Sequence, residues 1–267
     1  MLSIRKYVRV QSPDEAYALN QSRGNRILGG MLWLKMSRGS VDTAIDLCNL
    51  GLDTIEENET SFSIGAYVTL RQLEQHGPLN AYTNGAFREA VKSIVGVQFR
   101  NLATVGGSIW GRFGFSDVLT AFLGTDTYVE LYKKGTVPLA EFVSMPYDRD
   151  VLLRVIVKKT PISMVYTSMR NQSTDFPVLT CAVSRQSGIY KTVIGARPGR
   201  AVVLTDTEGI LSSGITAETA EAFASFAAER IPTGSNMRAG ADYRTHLIHV
   251  LTRRALLQLD GKEGDPR

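Results

Sequence analysis

The chain has 267 residues, 43% of them hydrophobic and 21% charged, with a formal net charge of +4. This is ordinary globular composition, enough for one large domain or two smaller ones. Its basic residues are scattered, with only short pairs such as Lys133-Lys134, Lys158-Lys159 and Arg253-Arg254, which excludes the clustered basic face of a nucleic-acid binder, and no run reaches the roughly 18 apolar residues of a membrane span.

In chain order, Met1-Leu2-Ser3-Ile4-Arg5-Lys6 lacks the apolar core of a signal peptide, which points to a cytoplasmic protein. The first unit reads β-α-β. Ser12-Pro13-Asp14-Glu15 predicts a helix start, with Ser12 as cap, Pro13 in the first turn and Glu15 completing a capping box. Gly24 ends that helix. Asn25 to Leu28 reads as a short buried strand running into Gly29-Gly30, and Thr43 to Leu47 as another. A second unit begins near Ser61. Phe62 to Val68 alternates as a strand, and Thr69 caps a short helix. Asn84 caps a helix from about Ala86 to Val95, closed by Gly96. After the turn at Thr104 to Gly107, Asp117 heads a helical stretch to Leu123, its carboxylate favourably placed near the helix N-terminus. Thr127 to Tyr132 is a strand.

The remainder has a different pattern. Val151 to Lys158, Ser163 to Met169, Val178 to Arg185 and Ile189 to Gly195 read as successive strands. Two helices follow, Ala217 to Arg230 capped by Thr216, and about Ala241 to Leu259 with Tyr243, Leu247, Val250 and Leu251 on one face. A meander followed by helices is α+β. The predicted division is a first domain over 1–150, with subdomains of about 1–54 and 55–150, a C-terminal α+β domain over 151–260, and a polar tail at 261–267.

Cys48 and Cys181 both sit in apolar contexts and read as reduced, buried thiols. No Cys-x-x-Cys pair exists, so the chain alone does not supply an iron–sulfur site. His76, His246 and His249 form no metal-ligand pattern.

The most informative residues are two glycine pairs, in Ile27-Leu28-Gly29-Gly30 and in Arg100-Asn101-Leu102-Ala103-Thr104-Val105-Gly106-Gly107-Ser108-Ile109. Adjacent glycines remove both Cβ atoms, so the backbone can turn with positive φ and bring its N–H groups to an anion. Two such loops suggest a diphosphate held between them, and hence a dinucleotide. Neither has the G-x-G-x-x-G spacing of a Rossmann site or the Lys-Ser/Thr of a Walker loop, which disfavours resident NAD and ATP.

The combination is more specific. Ile27-Leu28-Gly29-Gly30, Ile64-Gly65-Ala66-Tyr67-Val68-Thr69-Leu70, Gln98-Phe99-Arg100 through Gly106-Gly107-Ser108, and Ser116-Asp117 together resemble the FAD-binding subunit, or middle domain, of molybdenum hydroxylases of the xanthine dehydrogenase and carbon monoxide dehydrogenase type. Ile194-Gly195-Ala196-Arg197-Pro198, and Gly240-Ala241-Asp242-Tyr243-Arg244 with Arg253-Arg254-Ala255-Leu256, extend the resemblance over nearly the whole chain. It implies a two-subdomain FAD-binding fold of the xanthine dehydrogenase/vanillyl-alcohol-oxidase type, followed by a C-terminal antiparallel sheet with helices.

The resemblance also implies a site. Leu28, Gly29, Gly30, Met31 and Leu32 on one loop, and Ala103, Thr104, Gly106 and Gly107 on the other, would clamp the FAD diphosphate. Ser108 would lie near the flavin half. Ser116 and Asp117 would bind sugar or ribityl hydroxyls, Val95 and Phe99 would pack around the cofactor, and Val151 and Leu152 would lie near the isoalloxazine. No residue is assigned a catalytic or metal-binding role. Met31, Leu32 and Ser108 depart from the family's usual polar residues, and Thr167 stands where some relatives carry Lys. Trp33 and Trp110 read as packing groups.

The function implied is an electron-transfer subunit. FAD would receive electrons from [2Fe-2S] clusters on a small partner chain and pass them to NAD or another acceptor. Substrate hydroxylation would occur at the molybdenum cofactor of a large partner chain, in a heterotrimer or its dimer. Two other readings stay open: a stand-alone flavin oxidoreductase of the same fold, and a scaffold subunit whose flavin site has degenerated.

Overall fold

A computed structural model describes residues 1–261; beyond Gly261, the tail read from the sequence lies outside the described residues. The chain starts with β1 Leu2–Arg9, α1 Pro13–Asn20, β2 Arg26–Ile27, β3 Gly39–Asp46, β4 Ile55–Glu57 and β5 Ser61–Gly65. A helical run follows, with α2 Leu70–Gln75, α3 Gly77–Tyr82, α4 Ala86–Lys92, α5 Val97–Arg100, α6 Val105–Trp110 and α7 Asp117–Leu123. Then come β6 Thr127–Leu131, β7 Gly135–Pro138, α8 Leu139–Ser144, β8 Leu152–Lys158, β9 Ile162–Arg170, β10 Pro177–Gln186, β11 Ile189–Gly195, β12 Val202–Thr205, α9 Ala217–Arg230 and α10 Ala241–Leu259.

These elements form two compact units that the chain enters more than once. The first is Met1–Leu73, Val97–Gly111 and Thr127–Lys159. It contains a parallel sheet with β3 between β1 and β2, and an antiparallel sheet in the order β4-β5-β8-β6-β7. α1 begins as its sequence dictates: the Ser12 hydroxyl accepts the Glu15 N–H. The Glu15 carboxylate takes the Gln11 N–H at 2.8 Å, one residue earlier than a capping box requires. Val10, Ala16, Ile45, Leu47, Leu52 and Val151 make one core of this unit.

The second unit is Glu74–Gly96, Arg112–Asp126 and Thr160 onward. Its antiparallel sheet runs β12-β11-β10-β9. Every residue of β10 from Pro177 to Ser184 is buried, because helices cover both faces. Cys181 and Val183 belong to the core shared with α9 and α10. Thr180 and Ser184 alternate to the other face, where Thr180 meets the Thr120 hydroxyl at 2.9 Å and Ser184 donates to the Gly124 carbonyl at 2.7 Å. Arg244 is fully buried, with no carboxylate partner among the described residues. It donates to the carbonyls of Val178, Gly234 and Ala239 and to Asn236 Oδ1, which fastens the start of α10 to β10.

Two expectations change. The strand at Leu152–Lys158 does not open the C-terminal sheet. It pairs between β5 and β6, so the first sheet closes only after residue 150. Cys48 is exposed, because it starts a 3₁₀ turn past β3 instead of continuing the strand inward.

Candidate functional site

A cavity of about 520 Å³ opens in the first unit, within the roughly 300–1,000 Å³ usual for small-molecule sites. Its glycine edge is built from Leu28-Gly29 past β2, Ala66-Tyr67 past β5, and Thr104, Gly106 and Gly107 where α6 begins. Trp110, Tyr147 and Leu152 add apolar wall, and Asn20, Asn25, Arg26, Asp148, Arg149 and Asp150 add polar wall.

The four glycines divide their work. None has positive φ, contrary to the expectation from the sequence; that conformation falls instead on Met31, at 57°. A Cβ on Gly30 would lie 1.8 Å from the Leu102 carbonyl oxygen, and one on Gly106 would lie 2.6 Å from that of Ala66. These two glycines let backbone segments pass each other. Gly106 lines the cavity as well; Gly29 and Gly107 line it without such a clash. A Cβ on either would lie 3.1 or 3.0 Å from the same atom, Thr104 Oγ1. Gly29, Thr104 and Gly107 therefore converge on one spot that no side chain fills.

Hydrogen bonding decides what this edge can still offer. In the second loop the Gly106 N–H goes to the Ala66 carbonyl at 2.9 Å, the Gly107 N–H to Thr104 Oγ1 at 3.1 Å, and the Ser108 N–H to the Thr104 carbonyl at 3.1 Å. Those donors are spent, so the second loop contributes a hydroxyl and space where backbone donors were expected. In the first loop, no acceptor among the described residues takes the N–H of Gly29, Gly30 or Met31. Unspent backbone donors favour an acceptor-rich ligand. Arg26 adds a cation to the lining.

The polar wall is largely self-satisfied. Arg149 donates to the carbonyls of Asn20, Ser22 and Arg23. Asp150 accepts the N–H groups of Lys133, Lys134 and Val151 at 2.9, 3.1 and 2.8 Å. The Tyr67 hydroxyl donates to the Leu28 carbonyl at 2.7 Å and accepts the Leu47 N–H at 3.0 Å. Burial holds that hydroxyl well above the usual tyrosine range, and the Asp46 charge beside it adds to the shift, so it keeps its proton. Burial raises the pKa of Asp46 in turn, but hydrogen bonds from Tyr7, Cys48 and Tyr67 outweigh it and leave the carboxyl below its ordinary range.

Of the residues predicted from the sequence, Leu28, Gly29, Thr104, Gly106, Gly107 and Leu152 line this cavity. Gly30, Met31, Leu32, Phe99, Ala103, Ser108 and Val151 belong to the same unit but lie outside the lining. Val95, Ser116 and Asp117 belong to the second unit. There Val95 is half exposed with φ 51°, and Ser116 caps α7 by accepting the Leu119 N–H. Asp117 is buried and accepts from the Tyr166 hydroxyl and the Arg170 guanidinium. Trp110 both packs on Phe142 and lines the cavity, whereas Trp33 is 48% exposed. Tyr67 was visible only as part of a motif, and nothing local marked Asn20 or Arg149 as neighbours of the glycines. The second unit has its own cavity of about 320 Å³, walled by Phe115, Phe176, Pro198 and Arg238.

A family described as the FAD binding domain in molybdopterin dehydrogenase matches residues 2–160, and the CO dehydrogenase flavoprotein C-terminal domain matches residues 164–259. The chain belongs to the FAD-binding flavoprotein family of the molybdenum hydroxylases. Among curated relatives, the nicotine 6-hydroxylase medium subunit of Paenarthrobacter nicotinovorans is 24% identical, covering 94% of this chain and 96% of its own. The uncharacterized protein YgfM of Escherichia coli K12 is also 24% identical, covering 93% of each chain. Among solved structures, a chain of carbon monoxide dehydrogenase from Hydrogenophaga pseudoflava has a TM-score of 0.84 at 22% identity, covering 97% of this chain and 98% of that one. A chain of quinoline 2-oxidoreductase from Pseudomonas putida 86 has a TM-score of 0.83 at 18% identity, covering 96% and 97%. The fold of this flavoprotein family, an FAD-binding domain with a C-terminal antiparallel-sheet domain, is thus the fold of the chain.

Proposed function

We propose that this chain is the electron-transferring FAD subunit of a multi-subunit molybdenum hydroxylase, with the FAD diphosphate held at the glycine edge of the first unit. The observation that carries the reading is the convergence of Gly29, Gly107 and Thr104 Oγ1 beside a loop whose N–H groups are unspent. The donor set suits the group: backbone N–H and a hydroxyl meet phosphate oxygens, and the missing side chains leave room for them. Bound FAD supplies exchange of one and two electrons, and the protein's part is to bind and orient it. Gly29, Gly30, Met31 and Leu32 present backbone, Thr104 presents its hydroxyl, and Gly106 and Gly107 keep the approach open. Leu152, backed by Val151, supplies apolar wall. Ala103, Ser108, Phe99, Val95, Ser116 and Asp117 are assigned by position in the family pattern.

In that role the chain stands between [2Fe-2S] clusters on a small partner and an acceptor, NAD or another, with the molybdenum cofactor on a large partner. Similarity to a protein named as a medium subunit supports such an assembly. A cytoplasmic setting fits, and among the described residues no helix is long and apolar enough to cross a membrane.

The test is the visible spectrum of the purified full-length chain, with any released cofactor identified by mass, in wild type and Gly107→Asp. The carboxylate would enter the spot that Thr104 and Gly29 leave open. Wild type is expected to carry FAD, or to take it up when it is added. The folded variant is expected to lose it. Stoichiometric FAD on folded Gly107→Asp would overturn the placement, and a wild type that refuses FAD would favour the degenerate-scaffold reading. Co-purification with two partner chains separates the subunit from a stand-alone oxidoreductase.

A further inference from the structure

Leu28 is the last residue before the glycine pair, and both its backbone polar groups are tied down. Its N–H donates to the Ile45 carbonyl at 2.8 Å, and its carbonyl accepts the Tyr67 hydroxyl at 2.7 Å. The same hydroxyl accepts the Leu47 N–H at 3.0 Å and shares its one proton between the Leu28 carbonyl and Asp46 Oδ1, 3.1 Å away. One oxygen thus joins the end of β3, the segment past β5 and the entrance to the glycine loop. Asp46 is itself held, accepting the Cys48 N–H on Oδ1 at 3.0 Å and the Tyr7 hydroxyl on Oδ2 at 2.5 Å. Immediately past Leu28 come three N–H groups that no acceptor among the described residues engages. The direction of the first of them, the Gly29 N–H, is set by the peptide plane whose oxygen Tyr67 holds.

We propose that Tyr67, oriented by Asp46, is a positioning residue for the first glycine loop, acting through the Leu28 carbonyl to aim the free Gly29 N–H at the diphosphate. The inference rests on reading the cavity as an FAD site. Tyr67→Phe keeps the ring and removes the hydroxyl, leaving the Leu28 carbonyl and the Leu47 N–H without their partner. A loop released at one hydrogen bond is expected to bind FAD about tenfold more weakly, the worth of one such bond.

The experiment titrates FAD into the full-length apo-chain and records phosphorus NMR of the bound cofactor, for wild type, Tyr67→Phe and a control. The control is Tyr132→Phe, which likewise removes a hydroxyl bonded to a carboxylate, Asp14, outside the cavity lining. Tyr67→Phe is expected to weaken binding about tenfold and to shift the diphosphate phosphorus resonances, with the flavin absorption band unmoved. Tyr132→Phe is expected to change neither. Wild-type affinity with unshifted resonances in folded Tyr67→Phe would overturn the proposal and leave the FAD reading intact. Failure of wild type to bind FAD would instead remove the reading on which it rests. If Tyr67→Phe does not fold, Asp46→Asn carries the test. It should shift the same resonances with a smaller loss of affinity, and unshifted resonances there would equally overturn the proposal.

Discussion

A glycine can be required for backbone contact or for ligand contact, and this cavity separates the two. At Gly30 an added methyl would meet the Leu102 carbonyl at 1.8 Å, and backbone cannot step aside cheaply. Gly30→Ala is therefore expected to cost about 1–3 kcal/mol of stability, the range of overpacking penalties, read as a lower denaturant midpoint. At Gly107 the same methyl meets only a hydroxyl, at 3.0 Å, so Gly107→Ala should lose much less. Equal losses at the two sites would show that the clash is relieved by loop movement. The two thiols separate in the same way. Burial pushes the Cys181 thiol up to about 11, while Cys48 is exposed. The thiolate is the reactive form, so a thiol reagent near neutral pH should label one cysteine per native chain and two per unfolded chain. Labelling of both in the native state would contradict the burial of Cys181.

Among the elements, α7 shows a capped helix anchored by a buried charge. The Ser116 hydroxyl accepts the Leu119 N–H, and Asp117 at the first turn pairs with Arg170 on β9, the two side chains being 6% and 8% exposed. Removing one partner of a buried pair leaves the other uncompensated, at about 3–5 kcal/mol. Asp117→Asn should therefore destabilise the whole chain by that order in chemical denaturation, and a loss under 1 kcal/mol would show that Arg170 finds another partner. Such elements explain what the sequence can show. The caps at Ser12 and Thr216 depend on residues within four positions of each other, so their identities suffice, whereas those at Thr104 and Ser116 read as ligand contacts instead. Sheet membership is different. The strand Leu152–Lys158 was legible as a strand, but its place between β5 and β6 depends on partners up to 97 residues away, as at Ser61 opposite Lys158. Tyr67 was hidden for the same reason. In Gly65-Ala66-Tyr67-Val68 it continues an alternating pattern, yet the strand stops at Gly65 and the ring turns to Leu28 and Leu47.

Across the whole molecule, the boundary between family domains is not the boundary between packing units. The FAD-binding match ends at residue 160, but residues 74–96 and 112–126 within it pack in the second unit. α4 lies against β9, and α7 against β10 and β11, all of which follow residue 160. Phe87 and Phe122, fully buried and with ring centroids 4.5 Å apart, sit among those contacts. A fragment ending at residue 160 keeps every ligand donor of the glycine edge, yet it strips cover from two helices whose apolar residues include Phe87, Val91, Leu119 and Phe122. Each such side chain is worth about 1.5–3 kcal/mol when buried, so exposing these four costs about 6–12 kcal/mol, comparable to the whole 5–15 kcal/mol stability of a typical domain. The fragment 1–160 is therefore expected to aggregate or to bind a hydrophobic dye strongly, and the full-length chain is not. A monomeric 1–160 with native-like NMR dispersion and full FAD uptake would show that the first unit folds without the helices' partners. In that case the two units would be separable in folding despite the chain passing between them.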